Sequence, residues 1–164
     1  MIVVSDTTPL ISLLKIGRLD LLEKLFGIVY VPQAVYKELT VDERFSDEAE
    51  QIEKSKFVIV KEVTNIGAVN VLKRATGLDQ GESEAIVLSD EMNADILLMD
   101  EVKGRKVSGE MGIKVMGTIG VLMVAYEERE LTAIEARGCI DILQQNGRHI
   151  SQLYYQRLLN MLND

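Results

Sequence analysis

Four carboxylates, Asp6, Glu38, Glu82 and Asp100, each stand at the edge of an apolar run, where they could jointly hold a divalent cation. Asp6 follows Met1-Ile2-Val3-Val4-Ser5, and Asp100 follows Ile96-Leu97-Leu98-Met99; both runs read as buried strands. In an open parallel sheet the ends of such strands converge on a ligand crevice. Glu38 lies in Val35-Tyr36-Lys37-Glu38-Leu39 and Glu82 in Gly81-Glu82-Ser83-Glu84-Ala85-Ile86, segments that read as helices. Brought together, these acids repel one another unless a divalent cation sits among them. Such a cation acidifies a bound water, and a second stabilises a leaving oxygen, which points to chemistry on phosphate esters. Taken singly, each acid also has a structural role open to it: Asp6 and Asp100 as helix caps, Glu38 and Glu82 as members of solvated helix faces.

The elements that must position these acids alternate between strand and helix. A strand over residues 2–5 leads into Thr7-Thr8-Pro9, where a hydroxyl residue before proline marks a helix start. Leu10, Ile11, Leu13, Leu14 and Ile16 form the apolar face of that helix, which stops at Gly17. Further helices are expected over 19–26, from Pro32 through Leu39, over 68–75 with Gly77 as the stop, over 81–92 and over 102–111. Residues 41–54 read as an acidic loop leading into a polar helix. Strands are expected over 28–31, 57–60, 95–99 and 114–116. From about residue 118 the chain reads as a helical tail, broken at Arg129-Glu130, Gly138 and Gly147-Arg148. Its last helix carries Leu153, Tyr154, Leu158, Leu159 and Leu162, a stripe suited to covering the sheet or a second subunit. The alternation predicts an α/β fold with a central, mainly parallel sheet, in one domain over residues 1–164.

Composition narrows the classes. A 164-residue chain with 47% hydrophobic and 27% charged residues is expected to be globular and to bury roughly two-thirds of its unfolded surface. No apolar run reaches the ~18 residues of a membrane span, and no basic region followed by a long apolar stretch suggests a secretory signal. The single cysteine, Cys139, cannot form an internal disulfide, which fits a reducing cytoplasm. A net charge of −8 argues against broad, nonspecific nucleic-acid binding, yet leaves room for a metal-filled acidic pocket that takes one phosphate. It also suits a basic protein partner.

The same residues resemble a known family. Val3-Val4-Ser5-Asp6-Thr7-Thr8-Pro9-Leu10-Ile11 looks like the opening of a PIN domain, whose first strand delivers a catalytic aspartate. Val31-Pro32-Gln33-Ala34-Val35-Tyr36-Lys37-Glu38-Leu39, Leu78-Asp79-Gln80-Gly81-Glu82-Ser83-Glu84-Ala85-Ile86 and Leu97-Leu98-Met99-Asp100-Glu101-Val102-Lys103-Gly104-Arg105 are similar to its second, third and fourth motifs. Gly117-Thr118-Ile119-Gly120-Val121-Leu122 is similar to a branch of bacterial and archaeal members with a helical tail.

The resemblance implies a three-layer α/β/α PIN-like fold and a Mg²⁺- or Mn²⁺-dependent endoribonuclease of the VapC-like toxin type. It also implies RNA as substrate, a small antitoxin as partner and a homodimer, for which apolar early helices would be suited. Asp6, Glu38, Glu82 and Asp100 would be both metal ligands and catalytic groups. Glu82 is preferred over Glu84 because it stands 18 positions before Asp100, the family's spacing. Residues two apart on a helix point about 200° away from each other, so Glu84 would then face solvent. The family's further acid after the fourth aspartate is missing here or replaced by Glu101.

Thr7 or Thr8 could orient a water or contact the scissile phosphate, and Lys103, Arg105 and Lys106 could hold RNA phosphates. A lone histidine, His149, is not needed as a base where a metal-bound water reacts. Three alternatives stay open: a PIN-like module that only binds protein, a DNA-directed nuclease with the same metal site, and a phosphatase using Asp6 covalently. The last lacks the Asp-x-Asp pattern, because Asp6-Thr7-Thr8-Pro9 has no second aspartate.

Overall fold

A computed structural model describes residues 1–163. The apolar runs form five short strands, β1 (Val3–Ser5), β2 (Val29–Val31), β3 (Val58–Val60), β4 (Ile96–Leu98) and β5 (Val115–Met116), in the order β3-β2-β1-β4-β5. Every pairing is parallel, with Val3 opposite Val29 on one side and Ile96 on the other. Parallel neighbours need crossovers, and helices supply them. They are α1 (Thr7–Lys15), α2 (Asp20–Phe26), α3 (Gln33–Val41), α4 (Ser46–Lys54), α5 (Ile66–Thr76), α6 (Gln80–Met92) and α7 (Val102–Glu110), followed by α8 (Thr118–Glu127), α9 (Ala133–Gln145) and α10 (Gln152–Leu162).

Side chains alternate across a strand, so each strand feeds two cores. Val3, Ile96 and Leu98 join α1, α2, α3 and α8 in the larger core, while Val4, Leu97 and Met99 pack against Ala85, Ile86 and Leu88 of α6. The result is the expected three-layer α/β/α fold. The order also fixes where a ligand can enter. From β1 the chain runs outward to β2 and β3, then returns to place β4 on the other side of β1. Their C-terminal ends mark the point where strand order reverses, the position at which open α/β sheets bind ligands.

Several expectations change. The first helix starts at Thr7, with Asp6 in the extended cap position, so Thr8 is an exposed residue of its first turn rather than its start. Pro9 is tolerated there because the first-turn N–H groups have no helical partner. Gly138 does not break the tail; it lies inside α9, exposed, and a side-chain carbon added there would meet nothing within 4 Å. A Thr132–Glu135 capping box and the buried Ala136, Cys139, Ile140 and Leu143 outweigh its roughly 1 kcal/mol helix penalty. Gly138→Ala is accordingly expected to stabilise the protein by about 0.5–1 kcal/mol, read as a small rise in urea midpoint.

The last stripe also divides: Leu158 and Leu162 are buried, whereas Leu153 and Tyr154 face solvent. Of the apolar residues on the early helices, Leu10, Leu13, Leu21 and Leu22 are buried in the chain's own core, whereas Ile16, Leu25 and Phe26 are only partly buried. Among the described residues, no helix is long and apolar enough to cross a membrane.

Candidate active site

Asp6 emerges directly from β1 and donates its backbone N–H to the Leu98 carbonyl at 2.9 Å, which locks the end of β1 to β4. Its side chain is buried, with the residue only 4% exposed. Burial pushes its carboxyl up to about 7; the Thr7 backbone N–H pulls the other way, and the negative charges of Glu82, Asp79 and Glu38 push it further up. Asp6 is therefore a desolvated acid facing other acids.

Glu38 and Glu82 arrive on α3 and α6. The Thr7 hydroxyl donates to Glu38 Oε2 at 2.9 Å, which ties α1 to α3. That carboxylate lies beside the start of α6, where a side-chain carbon on Gly81 would sit 3.4 Å from Glu38 Oε2 and 3.7 Å from Asp79 Oδ1. Asp79 and Glu82 form a capping box. The Glu82 N–H donates to Asp79 Oδ1 at 2.8 Å, and the Asp79 N–H donates to Glu82 Oε2 at 2.9 Å. Burial raises the Glu82 pKa, the bond from the Asp79 N–H lowers it, and the charges of Asp79 and Glu101 raise it.

Glu84 turns to a different task. Its Oε1 accepts the Ala34 N–H at 3.2 Å at the start of α3, and its Oε2 accepts from Gln80 at 2.6 Å. It is a bridge between helices and not simply the solvated residue that helical geometry suggested. The two glutamates should separate by mutation. Glu84→Ala is expected to cost about 1 kcal/mol of stability and to leave divalent-cation binding beside Asp6 largely intact. Glu82→Ala should weaken that binding by about tenfold or more, measured by calorimetry at a temperature where both variants are folded.

Asp100 stands two residues beyond β4 and has neighbours of opposite character. Its Oδ1 accepts the Thr118 N–H at 2.7 Å, and its Oδ2 accepts the Thr118 hydroxyl at 2.5 Å. Arg148, from the connection between α9 and α10, forms an ion pair with Oδ2 at 3.0 Å and also donates to the Ser12 hydroxyl. Arg105 donates from Nη1 to the Met99 carbonyl at 3.1 Å. Gly117 makes this crowding possible, since a side-chain carbon there would lie 2.8 Å from Arg105 Nη1 and 2.9 Å from Asp100 Oδ1. Glu101, the candidate fifth acid, caps α7 by accepting the N–H groups of Lys103 at 3.0 Å and Gly104 at 2.6 Å. Lys103, Arg105 and Lys106 are exposed on that helix, and His149 is exposed on the tail.

The acids thus fall into two groups, Asp6 with Glu38, Asp79 and Glu82, and Asp100 with two arginines. Among the described residues, no three His, Cys, Asp or Glu side chains stand ready-made around a common ion position. The chemistry of the first group nevertheless suits a hard divalent cation, which prefers oxygen donors and keeps several waters. The uncompensated charge around Asp6 favours such an ion, and Glu38 and Glu82 would have to exchange their present hydrogen bonds for it.

Asp79, Thr118, Arg148 and Ser12 were not anticipated as parts of the site. Asp79-Gln80-Gly81-Glu82 carries a readable capping pattern, whereas nothing local links Arg148 to Ser12 or Asp100. An apolar groove between α5 and α6, lined by Ala68, Val71, Leu72, Val87 and Met111, is separate from these acids. A family model, DUF3368, a PIN domain, matches residues 2–164 of the chain. No curated protein matches it significantly.

Proposed function

The chain belongs to the PIN-domain family, whose members are generally metal-dependent nucleases, and on that premise we propose that it is a Mg²⁺- or Mn²⁺-dependent endoribonuclease, the toxin of a type II toxin–antitoxin pair. The observation that carries the reading is Asp6. Its carboxyl is buried at the end of β1, with Glu82, Asp79 and Glu38 as the neighbouring charges, an arrangement that supports a site receiving positive charge.

Asp6, fixed by the strand pairing, would be one of the oxygen donors that hold the ion. Glu38 and Glu82 complete the set, directly or through water. A divalent ion held there would supply an acidified water for attack on the phosphate. The Thr7 hydroxyl, which donates to Glu38, would become available to orient a water if Glu38 took up the ion. Lys103 and Arg105, exposed on α7, would hold flanking phosphates as point charges without reading sequence. A small antitoxin would neutralise the toxin, and homodimerisation is part of the proposal. Light scattering that finds only particles near 18.3 kDa would remove the dimer.

A second reading, a PIN-like module that binds without cutting, is favoured by the engagement of Asp100 with Arg148 and of Glu82 with Asp79. One experiment separates the readings. Wild-type and Asp6→Asn proteins are incubated with single-stranded RNA, structured RNA and DNA, with Mn²⁺, Mg²⁺ or EDTA. Metal-dependent RNA cleavage by wild type alone is expected. Preferential DNA cleavage would shift the substrate class, and intact substrate throughout would favour the binding module.

A further inference from the structure

We infer that Arg148 is the internal counter-cation of Asp100, leaving one divalent-metal position, at Asp6, Glu38 and Glu82. This rests on the metal-dependent reading above. Placement of the guanidinium is built into the fold. Gly147, at φ 90°, turns the chain at the end of α9, with the Gly147 N–H donated to Gln144 at 3.1 Å and the Arg148 N–H to Leu143 at 3.0 Å. Such a left-handed residue after a helix favours glycine. Two residues on, Ile150 is buried and anchors the connection. Between these fixed points Arg148 reaches back to Asp100 and Ser12, across 136 positions in the case of Ser12.

The pair is well shielded, with side-chain exposures of 24% for Arg148 and 11% for Asp100. Guanidinium stays protonated at all working pH values, so this positive charge is permanent. Thr118 already donates to both oxygens of Asp100. An ion approaching Oδ2 would meet a like charge only 3.0 Å from that oxygen. Asp6 has the opposite environment, since the side-chain charges acting on it are those of Glu82, Asp79 and Glu38. The two strand-end aspartates, equivalent by sequence, are therefore neutralised differently: Asp100 by the chain's own arginine, Asp6 by an external ion. Arg148 thus supplies at Asp100 the positive charge that a metal ion would otherwise bring there.

The test is a Mn²⁺ titration of the full-length protein by calorimetry, with bound Mn²⁺ counted by electron paramagnetic resonance. Wild type, Arg148→Gln, Arg148→Lys and Asp100→Asn are compared, with RNA cleavage assayed in parallel. Wild type is expected to bind one Mn²⁺ per chain. Arg148→Gln should gain a second ion or bind Mn²⁺ about tenfold more tightly, because the competing charge is gone, while Arg148→Lys keeps the wild-type count. Asp100→Asn should leave Mn²⁺ affinity within about threefold of wild type.

A purely structural arginine would lower the stability of both Arg148 variants and leave the Mn²⁺ count unchanged, which would overturn the inference. Two Mn²⁺ in wild type, or a loss of affinity of tenfold or more in Asp100→Asn, would overturn it as well. If Arg148→Gln fails to fold, the wild-type count and Asp100→Asn decide. Cleavage by a two-Mn²⁺ wild type would sink this inference and spare the nuclease reading. The expected Mn²⁺ pattern without cleavage of RNA or DNA would do the reverse, and absence of Mn²⁺ binding by wild type would sink both.

Discussion

Asp6→Asn is expected to raise the melting temperature of the metal-free protein while reducing cleavage by roughly a hundredfold or more. The folded-state carboxyl of Asp6 lies at about 7, against 3.8 for an unperturbed group, so its proton is held more tightly in the folded chain than in the unfolded one. Below about pH 4 both states are protonated and Asp6 costs the fold nothing through ionisation. As pH rises towards 7 the unfolded state ionises first, and stability falls; above 7 both are ionised and the loss is complete. At roughly 1.4 kcal/mol per pKa unit, the full loss is on the order of 4 kcal/mol at most.

Asn keeps the shape and removes the charge. For a chain of this size each kcal/mol moves the melting temperature by roughly 2–4 °C. Melts at pH 8 should therefore place Asp6→Asn several degrees above wild type, with the gap closing by pH 4. Added Mn²⁺ should raise the wild-type melt by linkage and move the variant less. A variant that melts well below wild type at pH 8 would show that the Asp6 carboxylate holds the fold together.

Leu98→Ala should produce the largest loss of stability, about 2–5 kcal/mol. Leu98 is fully buried in β4, between β1 and β5, and its side chain enters the larger core. Truncation removes apolar contact and leaves a cavity that two paired strands cannot readily close. The expected drop in melting temperature is roughly 5–15 °C. The same position ties structure to chemistry, because the Leu98 carbonyl accepts the Asp6 N–H and Asp100 lies two residues further on. Cleavage should thus fall even at temperatures where the variant is folded. Val102→Ala, at a residue 80% exposed, is the control and should leave both melt and cleavage unchanged. A melt of Leu98→Ala within 2 °C of wild type would contradict the packing described for β4.

Sequence alone determined most elements of this protein and the locations of its acids, because both depend on local pattern. Val3-Val4-Ser5 and Ile96-Leu97-Leu98 are too short and too continuously apolar for surface helices, and Asp6 follows the first directly while Asp100 follows the second after Met99, so two acids near strand ends could be read directly. Gly77 stops α5 in the left-handed conformation that its type allows. Local pattern misled at Gly138, where helix capping and buried neighbours outweigh a propensity of about 1 kcal/mol, and along α10, where only Leu158 and Leu162 of the stripe found a core.

What the tertiary structure alone decided is how charge is shared among the acids. Asp6 and Asp100 look alike in sequence, but strand order and the return of the tail give one a ring of acids and the other an arginine. The difference arises because an ion pair needs spatial proximity, and the contact from Arg148 to Ser12 and Asp100 closes only when α9, α1 and β4 are packed together. No periodicity or spacing along the chain encodes that meeting.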